Sequence, residues 1–374
     1  MAAEDKEGVI FALEQRDRVR RVHLELLATC LCDLIKVMDD DYPMLQTLVI
    51  RSQTDIRART APVILPEKLT APLLNRLGLS NIVLPIKSAL LTSANGIVVL
   101  VIENYPAFSY FHPEYLVAQL SAMAHLEVLS IHFRSAITNR EVERDLLRAR
   151  VTHITLPSLR LLAFCGGSAY LEGILARLNA PYLETLNVEF FNQLTFHLPS
   201  LLQFSQAMIT HLKLDTTEVH FENDFVTLII DPRNHRQGRN PFHVQVCCKS
   251  LDWQAFCIAQ ICNTLAPLLV RTESLQLGFH WDGPATSWQA DIDPIQWYGL
   301  LATFRGVKTL HFAGWFVADL FRLLQLPNGG LPGELLPSLQ EVVPSGWGHP
   351  NYAFSSFINA RLAAGLPTRL VQNQ

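Results

Sequence analysis

One apolar spacing recurs along this chain. After a small or turn-forming residue and one free position come an apolar position, two free positions, a second apolar position, one free position and a third. It is clearest as PMLQTLVI at 43–50, APLLNRLGL at 71–79, LPSLRLLAF at 156–164, APYLETLNV at 180–188 and LPSLQEVV at 336–343. Looser copies lie at 17–24, 95–102, 124–131, 207–214, 270–277 and 305–312. A repeat of this size decides the architecture before any local reading, because one short unit cannot bury its apolar side alone.

Aligned on the second apolar position, the copies fall at Val22, Leu48, Leu77, Leu100, Leu129, Leu162, Leu186, Leu212, Leu275, Leu310 and Val342. Neighbours are 23 to 35 residues apart, except for a gap of 63 after Leu212. FHVQVCC at 242–248 divides that gap if Val246 is the missing member, which makes twelve units. The spacing overlaps that of leucine-rich repeats, each a short strand plus a helix or turn. The expected fold is therefore α/β: an irregular leucine-rich-repeat-like solenoid, or horseshoe, of about twelve strand–helix units with a parallel sheet. It is irregular because the asparagine that regular repeats carry three residues after the last apolar position is replaced by Gln53, Ile82, Tyr105, Arg134, Gly167, Phe191 and Thr217. Residues 17–374 form this domain and 1–16 an N-terminal flank.

Amphipathic stretches between the copies predict helices at 113–126, 168–181, 250–267, 292–304 and 315–327, with Ser168 a candidate N-cap and Pro267 a stop. A last helix near 352–365 is expected to cap the stack, as terminal units must. DPRNHRQGRNP at 231–241 predicts a long polar hairpin loop between FVTLII and FHVQVCC. The charged run 137–153 reads as a solvated loop or excursion helix.

Charged residues are 17% of the chain and the net charge is −4, with no dense basic block or interleaved aromatics, which argues against nucleic-acid binding. No apolar run approaches the ~18–20 residues that span a bilayer, so no membrane association is expected. Seven cysteines without framework spacing, five of them in or beside apolar repeat positions, read as small buried hydrophobes in a reducing cytoplasmic or nuclear compartment.

Phosphate-binding glycine loops, zinc-binding histidine or cysteine pairs and nucleophile turns do not occur in the sequence. No catalytic, cofactor-binding or metal-ligating residue is assigned, and the chain is not expected to be an enzyme. Cys30 and Cys32 form a lone CxC that reads as packing. Asp291 and Asp293, among Trp281, Trp288 and Trp297, suggest a loop pinned to the fold; a catalytic carboxylate pair there is the remote alternative.

The stretches RDRVRRVHL (16–24), SAYLEGILARLNAPYLETLNVEFFNQLTFHLPSLLQF (168–204), SLDWQAFCIAQIC (250–262) and SWQADIDPIQWYGLLATF (287–304) resemble the large family of fungal F-box proteins with leucine-rich-repeat-like C-terminal regions. The resemblance covers the chain from about Arg16 onward. Members begin with an F-box, a helical module that docks on the Skp-type linker of a cullin ubiquitin ligase. Residues 1–16 are too few for that module and read as a linker remnant or a lost docking half. The resemblance thus implies the substrate-recognition half of an adaptor, engaging linker and cullin only with an F-box upstream. A stand-alone repeat scaffold with no ubiquitin link is the alternative.

A solenoid presents an extended strand surface on which residues between the apolar positions face outward. The candidate partner-binding residues are Arg51, Glu103, His132, Glu189, Lys213, Asp215, Gln276, His280 and His311, for a protein partner whose identity the sequence does not carry. The histidines among them fit either a binding surface or ordinary solvated strand positions.

Overall fold

Wherever the apolar spacing is clearest, the chain forms a short strand whose alternate residues turn inward. The computed structural model describes residues 3–53, 62–85, 88–105, 113–135, 153–209, 215–231, 241–280, 294–313, 335–345 and 351–371. The protein is mixed α/β, built on extensive, mostly parallel sheet. Its contacts divide it into two units, Met1–Leu186 and Asn187–Gln374.

The first unit carries strands β1 (Arg21–Leu27), β2 (Thr47–Gln53), β3 (Arg76–Ser80), β4 (Val99–Tyr105), β5 (Val128–Phe133) and β6 (Leu161–Gly166), each parallel to the next. Val22, Leu48, Leu77, Leu100, Leu129 and Leu162 stand opposite one another in one unbroken cross-strand row, all buried. Two residues on, Leu24, Ile50, Leu79, Ile102, Ile131 and Phe164 form a second row. The period of two along a strand sends both rows to one side, so register and burial enforce each other.

A hydrogen-bond ladder sets each strand entry. The carbonyl just before one strand accepts two amides from the start of the next: Arg20 from Gln46 and Thr47, Gln46 from Asn75 and Arg76, Asn75 from Val98 and Val99. Val98, Glu127 and Arg160 continue the pattern. The buried first apolar residues Leu45, Leu74, Leu126 and Leu159 each close a turn onto the carbonyl three residues back. Such pairing satisfies amides that would otherwise be lost where the chain enters the interior.

Helices α1 (Ala3–Glu14), α2 (Ala28–Val37), α3 (Ala89–Ser93), α4 (Pro113–Leu120) and α5 (Ser168–Leu175) belong to the same unit. The N-terminal flank is therefore folded: Leu13 is buried, its carbonyl accepts a hydrogen bond from the Tyr42 hydroxyl at 2.9 Å, and Lys6 meets Asp33 at 2.6 Å. Ser168 is the first residue inside α5, not its cap; Gly167 holds that position.

Strand β7 (Thr185–Phe190) carries the chain from the first unit into the second. There α6 (Pro199–Ile209) is followed by β8 (Thr216–Phe221), β9 (Phe225–Asp231) and β10 (Phe242–Cys247), in which β9 is antiparallel to both neighbours. Then come α7 (Leu251–Thr264), α8 (Ala266–Leu269), β11 (Ser274–Phe279), α9 (Pro294–Leu301), β12 (Thr309–Ala313), β13 (Glu341–Ser345), α10 (Asn351–Ala363) and β14 (Arg369–Leu370). Strands β8, β11, β12, β13 and β14 are parallel in that order, with Thr217, Leu275, Leu310, Val342 and Leu370 in one row.

Two sequence expectations change here. The strand expected at 207–214 around Leu212 lies instead at 216–221. Residues to 209 belong to α6, 210–214 lie outside the described residues, and the ladder enters through the Asp215 carbonyl, which accepts from Glu273 and Ser274. The inward position is polar: Thr217 is fully buried and shares a 2.8 Å hydrogen bond with the buried Thr272 hydroxyl, so an apolar template passes over it. FHVQVCC is not an independent parallel unit but the outer strand of a meander, with Val246 buried opposite Val226. The hairpin expected around 231–241 is there, its loop outside the described residues.

Pro267 does not simply end a helix but opens α8, where a missing amide hydrogen is harmless. The capping helix precedes one more strand, β14. Arg361 of that helix is fully buried and donates to the carbonyls of Leu335, Leu336 and Leu339 and to the Thr368 hydroxyl. The stretch 315–327 and nearly all of 137–153 lie outside the described residues.

Candidate interaction faces

The residues between the inward positions make a face of mixed charged and apolar character on each unit. In the first unit, the rows Arg21–Thr47–Arg76–Val99, His23–Val49–Gly78–Val101 and Glu25–Arg51–Ser80–Glu103 each run across the strands from β1 to β4. All of these except Val99 and Glu25 line a depression of about 600 Å³, to which Asn75 and Leu79 also contribute. Val49 and Val101 form an apolar floor on either side of Gly78, whose missing side chain leaves the centre low. A Cβ there would meet only Val49, at 3.4 Å, so glycine is required by neither strain nor clash.

Three arginines and His23 face one lining carboxylate, Glu103. Arg51 is balanced by Glu25 at 3.9 Å. Arg21 and Arg76 are exposed, and among the described residues neither has a carboxylate within ion-pair distance. Two of the expected partner-binding residues, Arg51 and Glu103, thus come together at one end of this depression. His132, on β5, is half-buried on the same side and is not among its lining residues.

The second unit presents a histidine-rich face. His243, Glu218, Gln276 and His311 belong to one cross-strand row, linked through Ile229. Beside it, His220 Nε2 and Glu218 Oε2 are 2.9 Å apart, and the His220 ring stacks on His280 with centroids 5.7 Å apart. Gly278 lies opposite His220, and a Cβ there would run into the imidazole, so glycine makes room for the pair. The His220 hydrogen bond holds the Glu218 carboxyl below the usual carboxylate range. Burial pushes the His243 imidazole down, with Glu189 pulling it the other way. Cys247 donates to Glu189 at 3.1 Å, and its thiol is pushed up to about 12, by burial first and then by that bond.

Of the remaining expected residues, Gln276 and His311 stand directly opposite each other. His280 joins them through the His220 stack, while Glu189 is taken up by Cys247. Asp215 serves through its backbone at the strand entry, and Lys213 lies outside the described residues. Asp291, Asp293, Trp281 and Trp288 also lie outside them, whereas Trp297 is fully buried against Phe221 and Phe279. Sequence reasoning missed Arg21, His23 and Arg76, which the alternation rule marks as readily as Arg51. It missed Glu218 and His220 because their strand had been placed too early.

Among the described residues no three His, Cys, Asp or Glu side chains are placed to hold a metal ion, and no helix is long and apolar enough to cross a membrane. Nor does a hydroxyl or thiol among them hydrogen-bond His220 to extend the Glu218 pair toward a nucleophile. No protein-family model matches the chain, and no curated protein matches it.

Proposed function

We propose that the protein is a protein-interaction scaffold, a leucine-rich-repeat-like solenoid whose strand faces dock a protein partner. The observation that carries this reading is the register of the first unit. Six parallel strands keep their apolar rows aligned, so the residues between them, charged and apolar together, form one continuous face rather than scattered surface groups. Repeated parallel units sharing a core and exposing such a face suit recognition of an extended partner surface. The likeness of several stretches to fungal F-box proteins extends the proposal: the chain is the substrate-recognition half of a ubiquitin ligase adaptor. A stand-alone scaffold is the other reading.

Proximity labelling in cells tests both levels. The wild-type gene product is compared with an Arg51→Glu/Glu103→Lys variant of the first face and a Glu218→Lys variant of the second, each matched for melting temperature. Charges on a docking rim set association rate and salt dependence, so partner capture is expected to fall for at least one variant. Identical partner sets for all three proteins would discard the faces as docking surfaces. A Skp-type linker among the wild-type partners supports the adaptor; its absence beside an intact substrate-like set supports the stand-alone scaffold.

A further inference from the structure

The two arginines at one end of the first unit's depression have no carboxylate within ion-pair distance among the described residues. Arg21 and Arg76 begin strands that are two apart in the sheet, with Thr47 between them, which sets their backbones about 10 Å apart on one row. Both are exposed, and Asn75 beside them adds an amide. At the other end, Arg51 is already engaged by Glu25, and Glu103 brings a negative charge. Between the ends lies the apolar floor of Val49, Gly78 and Val101. The depression is therefore polarised: unpaired cations, then a low apolar strip, then a neutralised pair with a carboxylate.

We propose that this depression binds an extended acidic peptide segment, its carboxylates on Arg21 and Arg76 and a small apolar side chain over Gly78. The inference rests on the reading of these faces as docking surfaces and names the partner chemistry for one of them. Guanidinium forks match carboxylates in geometry as well as charge. A segment of a larger molecule suits the site better than a small ligand. Small-molecule pockets enclose most of their ligand's surface, whereas five of the lining residues, Arg21, His23, Arg51, Asn75 and Arg76, remain exposed on an open sheet face. The protein is net negative at −4, so a cationic patch on it discriminates for acidic segments against a background that repels them.

The test is selection of displayed random peptides on the full chain, followed by fluorescence anisotropy of the enriched peptides. Enriched peptides are expected to carry more Asp and Glu than Lys and Arg, and to weaken as salt rises. An Arg21→Glu/Arg76→Glu variant should lose roughly tenfold or more in affinity. Gly78→Val, which fills the floor without changing any charge, should lose a comparable factor; Gly78→Ala replaces it if the valine lowers the melting temperature. Enriched peptides with no acidic excess, or indifferent to both variants, overturn this inference and leave the scaffold reading standing on another face. Competition by a single-stranded oligonucleotide as effective as the acidic peptide overturns it in favour of phosphate-backbone binding. Enrichment of no peptide at all overturns both the inference and the docking reading beneath it.

Discussion

Leu77 is fully buried, with Leu48 opposite it on one strand and Leu100 on the other. Truncation leaves a hole between two neighbours held in place by their own ladders, so Leu77→Ala is expected to lose about 2–5 kcal/mol in reversible urea unfolding. A loss below about 1 kcal/mol would mean that the row relaxes as the ladder should forbid. The cysteines make a different residue-scale case. Cys165, Cys248, Cys257 and Cys262 are buried; the hydrogen bond with Cys257 and then burial hold the Cys248 thiol far above its ordinary range, and burial alone does so for Cys262. Cys247, at about 12, stays protonated through neutral pH. An aromatic disulfide reagent is therefore expected to label only the part-exposed Cys30 and Cys32 quickly at pH 8. Fast labelling of Cys247 would contradict its bond to Glu189. Because its folded value is raised from 9.0, that thiol's contribution to stability is complete below pH 9 and is lost as pH rises through about 12. That most cysteines act as small buried hydrophobes was legible in their placement beside apolar repeat positions; the Glu189 partner was not, since 58 residues separate the two.

Strand β8 shows what an element's own sequence hides. TTEVHF has only three inward positions, and the first is Thr217, so it scores poorly against an apolar template, while the preceding helix supplies apolar residues at nearly the right spacing. What makes β8 a strand is its partners, β11 on one side and β9 on the other, and the Thr217–Thr272 hydrogen bond that satisfies the buried hydroxyl. Thr217→Val is expected to cost about 1–3 kcal/mol by leaving Thr272 unpaired, and Thr217→Val/Thr272→Val to recover most of it. Additive losses in the double variant would show that the two hydroxyls do not depend on each other. The same strand carries a pH prediction. Glu218's lowered value means that its contribution is present above the ordinary carboxylate range and lost as pH falls through the lowered value, so Glu218→Gln should flatten the acid limb of the stability profile. An unchanged acid limb would remove the His220 bond as its cause.

At the scale of the whole molecule, the carbonyl ladder is the common device. It recurs at Gln46–Thr47, Asn75–Arg76, Val98–Val99, Glu127–Val128 and Arg160–Leu161 in the first unit, and at Glu273–Ser274, Lys308–Thr309 and Gln340–Glu341 in the second. Native-state hydrogen exchange should find these entry amides at least roughly a hundredfold slower than an unfolded chain, although several flank exposed turns. Entry peptides exchanging at the unfolded rate would show that the ladder does not persist in solution. The sequence by itself determined the inward rows of the first unit, from Val22 to Leu162, because apolar burial repeats with a fixed offset from the turn that precedes it. It likewise marked Leu275, Leu310 and Val342 in the second unit. Only the tertiary structure decided the antiparallel meander at 216–247, the buried threonine that stands in for a leucine, and the gathering of Arg21, Arg51, Arg76 and Glu103 around Gly78. Burial leaves a signal at the residue that is buried, whereas strand direction, a cross-strand hydrogen bond and the polarity of a face are properties of pairs far apart in the chain, and a local apolar spacing carries no record of them.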